Sequence, residues 1–150
     1  MVNDVGISIL REVSEKSVCD INELFKQLTE SPCHHNQESL KKLLEQPNFT
    51  LAIAINAESR IVGMATLMVN RTLLRMTGFI EDVVVDQSCR GSKLGERLME
   101  FLLFIARGKR AVYVSLTSNP KREAANNLYR KLGFELIGNI SESNYYRLYL

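Results

Sequence analysis

The 150-residue sequence holds only three cysteines and two histidines, too few for a disulfide framework or an obvious metal centre. Three thiols leave one over in any pairing scheme. A chain of this length needs no covalent staple, because folding buries roughly 70% of the surface that the unfolded chain exposes. Apolar runs stop well short of the ~20 residues that cross a bilayer. The opening MVNDVGISILREVSEK has no basic segment followed by an apolar core, so it does not read as a secretory signal. Charge of one sign is missing too: 19 basic and 17 acidic residues leave +2, too little to imply a nucleic-acid partner. Repeats and low-complexity stretches are also lacking. What is present, 45% hydrophobic and 24% charged residues, is ordinary for a globular protein. The expectation is one domain over residues 1–150, reduced and cytoplasmic, with no membrane or nucleic-acid partner.

Charge is nevertheless uneven. Residues 87–131 carry 10 basic residues against Glu96, Glu100 and Glu123, a window suited to a phosphorylated ligand or to a solvated helix face. Hydrophobic periodicity alternates between 2 and 3.6 along the chain. Strands are predicted at residues 7–11, 50–55, 61–69, 79–85, 111–116, 134–137 and 145–150. Helices are predicted at 15–28, 37–45, from 94 to Gly108, and from the Asn119-Pro120 start to Gly133. Asn119 suits the N-cap and Pro120 the first turn. A polar, basic turn fills 70–77. Leu103 and Phe104 make the second half of the third helix apolar nearly all round, which suggests burial against a sheet. Cys19, on the first helix, reads as core. The order β-α-α-β-β-β-α-β-α-β-β belongs to the α/β class, built around one mixed sheet.

The turn RGSKLG at residues 90–95 lies between a strand and a long helix. The first amides of a helix lack internal partners and carry the positive end of its dipole, so this junction is an anion site by construction. Gly91 and Gly95 let a ligand approach the backbone, and Arg90 and Lys93 add cations. Neither GxxxxGK[ST] nor GxGxxG is present, which excludes the usual mononucleotide and dinucleotide loops.

The stretch IEDVVVDQSCRGSKLGERL resembles the acetyl-CoA-binding motif of the Gcn5-related N-acetyltransferase (GNAT) superfamily, Gln/Arg-x-x-Gly-x-Gly/Ala. Arg90 and Gly95 fill its first and last positions, and Lys93 stands at the middle glycine. NPKREAANNLYRKLGF is similar to the second signature of that superfamily, with Ala125, Tyr129, Gly133 and Phe134 matching. The resemblance implies a single mixed, mostly antiparallel sheet with a splayed centre, flanked by about four helices. It implies transfer of acetyl from acetyl-CoA to a primary amine of a small molecule by direct attack, with no metal.

On the same resemblance, Arg90, Gly91, Ser92, Lys93, Leu94 and Gly95 would hold the pyrophosphate. Val83, Val84 and Val85 would pair with the pantetheine arm. Asn119, Lys121, Arg122 and Asn126 would lie near the cofactor. Tyr129, neutral at working pH, would give its proton to the departing thiolate. Alternation puts Glu81 and Asp82 on opposite faces, so only one looks into the cleft. Glu81 is favoured as base because a similar Glu-Asp pair occurs in the glucosamine-6-phosphate N-acetyltransferase branch. That branch is also resembled by TLMVNRTLLRMTGFIEDVVVDQSCRGSKLGERLM, but the likeness fades past residue 110. The acceptor therefore stays open between glucosamine-6-phosphate, another small amine and a peptide amine, with a non-catalytic acyl-CoA sensor as the rival.

Cys33-His34-His35 lacks a second pair of ligands at metal spacing and reads as a loop lining the amine pocket. Cys89 reads as a small residue at the helix start. Tyr145, Tyr146 and Tyr149 on the last strand are expected at the substrate mouth or at a subunit contact. A terminal edge strand invites pairing, so a homodimer is expected.

Overall fold

Two of the four described helices start on capping boxes that the sequence supplies locally. Ser14 caps α1 (Glu15–Leu28) with Ser17 answering, and Asn36 caps α2 (Gln37–Leu44) with Ser39 answering. The computed structural model describes residues 4–31 and 34–150. Around these helices run β1 (Gly6–Ile9), β2 (Phe49–Ile55), β3 (Ile61–Arg71), β4 (Met76–Val85), α3 (Leu94–Gly108), β5 (Tyr113–Ser118), α4 (Glu123–Lys131), β6 (Glu135–Ile140) and β7 (Ser143–Tyr149). The predicted element order is observed, as is the splayed mixed sheet. Its seven described strands run β1-β2-β3-β4-β5-β7-β6, antiparallel except where β4 meets β5.

The sheet has two apolar faces. On one, Ile21 and Leu24 of α1 and Leu40 of α2 pack against Leu51, Ile53, Met64 and Val84. On the other, α3 buries Leu94, Leu98, Met99 and Leu102 against Ala52, Leu67 and Ile80, with Tyr129 and Tyr146 in the same cluster. Each fully buried leucine contributes roughly 1.5–3 kcal/mol. The three α3 leucines therefore fix the start of that helix firmly at the end of β4.

Several expectations need correction. Phe104 is 75% exposed, so the apolar second half of α3 has a solvent side after all. Cys19 is exposed rather than core. The basic turn shrinks to residues 72–75, closed by Thr72 N–H to Arg75 O at 2.9 Å, because Asn70 and Arg71 still pair with Thr77 and Met76. β5 starts at Tyr113, since the Ala111 amide is bonded back to Ala106 of α3.

Candidate active site

β4 and β5 pair at only two positions, Gly78 with Val114 and Phe79 with Ser115. Beyond Phe79 the strands diverge, so the outer polar groups of β4 face an open slot. Two arginines cap those groups. Arg122 donates to Val83 O at 3.4 Å, and Arg90 Nε donates to Val85 O at 3.2 Å. A cleft of about 580 Å³ opens here, lined by Val83, Val84 and Val85, by Arg90, Gly91, Lys93, Leu94 and Gly95, and by Arg122 and Tyr129.

The cleft is electropositive by backbone as well as by side chain. Gly91 (φ 80°) and Lys93 (φ 63°) both adopt left-handed backbone, which turns the chain sharply into α3. Neither α3 nor α4 has a side-chain cap bond, and Leu94, Gly95, Glu123, Ala124 and Ala125 of their first turns line this cleft. Two sets of orphan amides thus converge on one space, where they suit an anion. A Cβ at Gly95 would meet Leu128 at 3.4 Å and Val85 at 3.7 Å, ordinary contacts. The fold tolerates a side chain there; the cleft would lose the space it fills. This concavity with its amides and cations fits a pyrophosphate joined to a thin amide-bearing arm.

Asp86 anchors the loop and was not singled out from the sequence. It is buried, accepts from Ser88 N–H at 2.9 Å, receives Arg60 at 2.9 Å and is met by Gln27 Nε2 at 3.2 Å. The Ser88 hydroxyl, which donates to Asp86 at 2.6 Å, is chiefly what holds its carboxyl below the usual range, against the opposing push of burial. Gln27 of α1 also accepts the Gln87 amide at 2.9 Å and itself lines the cleft.

Tyr129 is 2% exposed and stands between Phe134 and Tyr146, ring centroids 6.0 and 5.9 Å away. Its hydroxyl has no protein partner among the described residues and the residue lines the cleft. Burial raises its pKa, with Arg122 partly opposing. The phenol therefore stays protonated at neutral pH.

The carboxylates lie differently from the expectation. Thr66 pairs with Glu81 and Met64 with Val84, so Ala65 faces both Asp82 and Val83. This is a β-bulge, with Asp82 at φ 55°. Alternation breaks there. Asp82 Oδ2 accepts from Thr66 Oγ1 at 3.0 Å, and Thr66 is the register partner of Glu81. The two carboxylates therefore lean to one side rather than opposite sides, towards the face that α1 and α2 occupy. Desolvation, then the charge of Asp82, raises the Glu81 pKa. Tyr129 packs on the other face. The protonated phenol lines the cleft, whereas Glu81 and Asp82 stand on the opposite face of the sheet and are not among the residues that line it.

A model of the Acetyltransferase (GNAT) family matches residues 16–134. The chain belongs to that family. It is 34% identical over 131 residues to the glucosamine 6-phosphate N-acetyltransferase of Trypanosoma brucei brucei, covering 83% of this chain and 87% of that protein. The crystal structure of a Trypanosoma brucei acetyltransferase superposes with a TM-score of 0.78 at 31% identity, over 91% of this chain and 96% of that one. The NatC complex bound to Gag peptide and CoA contains a chain of the same fold, with a TM-score of 0.80 at 19% identity, over 98% and 99% of the two chains. This GNAT protein is an N-acetyltransferase, and its family uses acetyl-CoA.

Some residues expected near the cofactor of this GNAT enzyme are not among those that line the cleft. Asn126 is buried and its amide is satisfied. It donates to Asn119 O at 2.9 Å and Arg122 O at 2.7 Å, and it accepts from Tyr146 OH at 2.7 Å and Asn144 at 3.2 Å. It ties α4 to β7 rather than offering a donor to a ligand. Asn119 does not cap the helix: its side chain accepts the Lys121 amide at 2.9 Å in a turn, and α4 starts at Glu123. Asn119 and Lys121 stand on this turn, outside the cleft wall. Ser92 turns its hydroxyl back onto Cys89 O. Cys89 lines the cleft. Cys33 lies outside the described residues. His35 bonds Asn22 through its backbone and Ser39 through its ring at 3.1 Å, so it packs on α1 and α2. Among the described residues no group of three His, Cys, Asp or Glu side chains could hold a metal.

Proposed function

We propose that this GNAT enzyme acetylates the primary amine of a small molecule by direct attack, with glucosamine-6-phosphate the favoured acceptor. The observation that carries the reading is the cleft beside the divergent end of β4, with the buried phenol of Tyr129 in its wall. The 34% identity to a glucosamine 6-phosphate N-acetyltransferase supports the acceptor. Acetyl-CoA, when bound, supplies the thioester. The orphan amides of α3 and α4, with Arg90, Lys93 and Arg122, hold its phosphates, and the outer edge of β4 at Val83 and Val85 holds its amide-bearing arm. Arg90 and Arg122 leave the carbonyls they cap for that purpose. Glu81, with its raised pKa, takes the proton the amine must lose, directly or through water, and Asp82 and Thr66 fix the bulge that places it. Tyr129 donates its proton to the departing sulfur. A backbone N–H at the edge of β4 steadies the carbonyl oxygen.

The protein is proposed to work in a reducing cytoplasm as a homodimer. β6 supports the dimer, since it is exposed along its whole length and carries Leu136, Ile137 and Ile140 outward. The test of the activity is CoA release from acetyl-CoA against glucosamine-6-phosphate, glucosamine, polyamines, aminoglycosides, amino acids and lysine peptides. Turnover concentrated on glucosamine-6-phosphate is expected. Turnover concentrated on peptides, or acetyl-CoA binding without turnover on any amine, refutes the reading.

A further inference from the structure

The turn over residues 86–93, which leads from β4 into α3, makes most of its hydrogen bonds within itself. Cys89 N–H bonds Asp86 O at 2.8 Å, and Ser88 N–H and Oγ both donate to Asp86 Oδ1. Arg90 Nε reaches back to Val85 O, and Ser92 Oγ donates to Cys89 O. Such bonds shape the turn without fixing where it stands. Gly91 and Lys93 are left-handed, a conformation that costs a lysine energy, so the shape must be held from outside. Among the described residues three groups tie the turn to the rest of the fold. Val62 O accepts Asp86 N–H at 2.8 Å, Arg60 donates to Asp86 Oδ2 at 2.9 Å, and the Gln27 carboxamide meets both Asp86 and Gln87.

Gln27 uses both ends of its amide. Oε1 accepts Gln87 N–H at 2.9 Å, and Nε2 donates to Asp86 Oδ2 at 3.2 Å. The second bond ends on a carboxylate held ionised, so it is charge-assisted. The side chain comes from the last turn of α1, 60 residues before its partner, and α1 is itself fixed by Ile21 and Leu24 packed against Met64 and Val84. Arg60 meets the same Oδ2 but bonds no backbone group of the turn among the described residues. Gln27 also lines the cleft together with Arg90, Gly91 and Lys93. Amides that bind an anion well must be held to within about 0.5 Å by groups that are themselves locked by packing. Gln27 has those properties, and the reaction as described gives it no role.

We propose that Gln27 is a positioning residue for the phosphates of the cofactor: its carboxamide fixes the turn at Asp86 and Gln87, and with it the open amides at the start of α3. The proposal rests on the reading that this cleft holds acetyl-CoA. Gln27 acts through the turn and touches neither the thioester nor the amine, so its loss weakens binding of the phosphate-bearing part of the cofactor and leaves the chemical step alone.

The test compares acetyl-CoA with S-acetylpantetheine, which carries the same thioester and arm without the phosphates, in the wild type, Gln27→Met and Gln27→Glu. The first variant keeps the length of the side chain and loses both bonds. The second keeps an acceptor for Gln87 N–H but sets a carboxylate against Asp86. In Gln27→Met the KM for acetyl-CoA is expected to rise at least fivefold with kcat within twofold, while kcat/KM for S-acetylpantetheine stays within twofold. Gln27→Glu is expected to lose at least as much with acetyl-CoA. Calorimetric titration with CoA gives a second readout that needs no turnover, and the Kd is expected to rise at least fivefold in both variants. A KM and a Kd unchanged in both variants overturn the proposal. An equal loss with the two acetyl donors also overturns it, because a general disturbance of the fold or of the chemistry spares neither. A wild type that binds no CoA refutes the reading of the cleft and the proposal with it, whereas equal CoA affinity in the wild type and the variants refutes the role of Gln27 alone. Should Gln27→Met fail to fold, Gln27→Glu decides by the same two comparisons.

Discussion

Replacing Tyr129 by phenylalanine separates chemistry from packing with unusual sharpness. The ring is held between Phe134 and Tyr146 and is 2% exposed, while its hydroxyl has no protein partner among the described residues. Tyr129→Phe therefore leaves the ring contacts intact and orphans no buried donor or acceptor. The stability change is expected within about 1 kcal/mol. Losing a positioned general acid costs 10²–10⁴-fold in rate, or roughly 2.7–5.4 kcal/mol of barrier. Burial raises the pKa of the phenol, so the wild type stays protonated through neutrality. Its rate falls on the alkaline side only above the ordinary phenol value near 10. The folded pKa lies above the unfolded one, so the linked stability is present below about pH 10 and lost as pH rises through the folded value. The assay is CoA release at saturating acetyl-CoA from about pH 6 to pH 10.5, with a thermal melt of the same sample. The expected result is a kcat at least 100-fold lower, no alkaline limb, and an unchanged melting temperature. A kcat within twofold of the wild type across that range refutes Tyr129 as the acid.

Glu81→Gln is expected to lower kcat/KM most above the raised pKa of Glu81, where the wild-type carboxylate is ionised, and to abolish the acid limb; an acid limb that survives assigns the base to Asp82 or water. Lys93→Gly relieves a left-handed backbone that costs a lysine about 1–2 kcal/mol, offset by the entropy of glycine. A melting temperature raised by a few degrees is expected, together with a higher, less salt-dependent KM for acetyl-CoA, and a lower melting temperature contradicts the reasoning. Asp86→Ala removes a buried acceptor serving Ser88, Gln27 and Arg60, at a cost of about 1–3 kcal/mol in denaturant unfolding. The depressed pKa of Asp86 places its linked stability above the ordinary carboxylate range, lost as pH falls through the folded value. The alanine variant should lose that acid sensitivity, and a parallel pH dependence in both proteins counts against it.

What the sequence announced was local. The glycines of RGSKLG, the helical spacing of Leu94, Leu98 and Leu102, and Tyr129 four residues after Ala125 each depend on near neighbours, and each stands where expected. What it concealed depends on register. Glu81-Asp82-Val83 reads as plain alternation; only pairing with Thr66 and Met64 shows that Asp82 is an inserted residue. Asp86 draws Arg60 from 26 residues away and Gln27 from 59. Arg147 of β7 and Arg75 of the β3–β4 turn meet over the ring of Tyr113 on β5, at 4.1 and 6.0 Å, which no window of sequence joins. Asn119-Pro120 misled for a different reason: asparagine is equally apt as cap and as turn, and the local turn won.

The helix starts carry one more step of reasoning. α1 and α2, whose first turns are not part of the cofactor cleft, satisfy their first amides with their own side chains, whereas α3 and α4, whose first turns line the cleft, do not. A cap contributes about 0.5–2 kcal/mol, so the two open starts leave the cofactor-free fold a few kcal/mol short of what it could have. An anion at those amides supplies the missing partners. Ligand at 100 times its Kd stabilises by about 2.7 kcal/mol, comparable to what the two absent caps withhold. The site is therefore open because the local sequence declines to finish two of its helices. Installing a serine cap at Arg122, whose backbone is not left-handed (φ −84°), should raise the melting temperature without ligand while reducing the increment that acetyl-CoA adds.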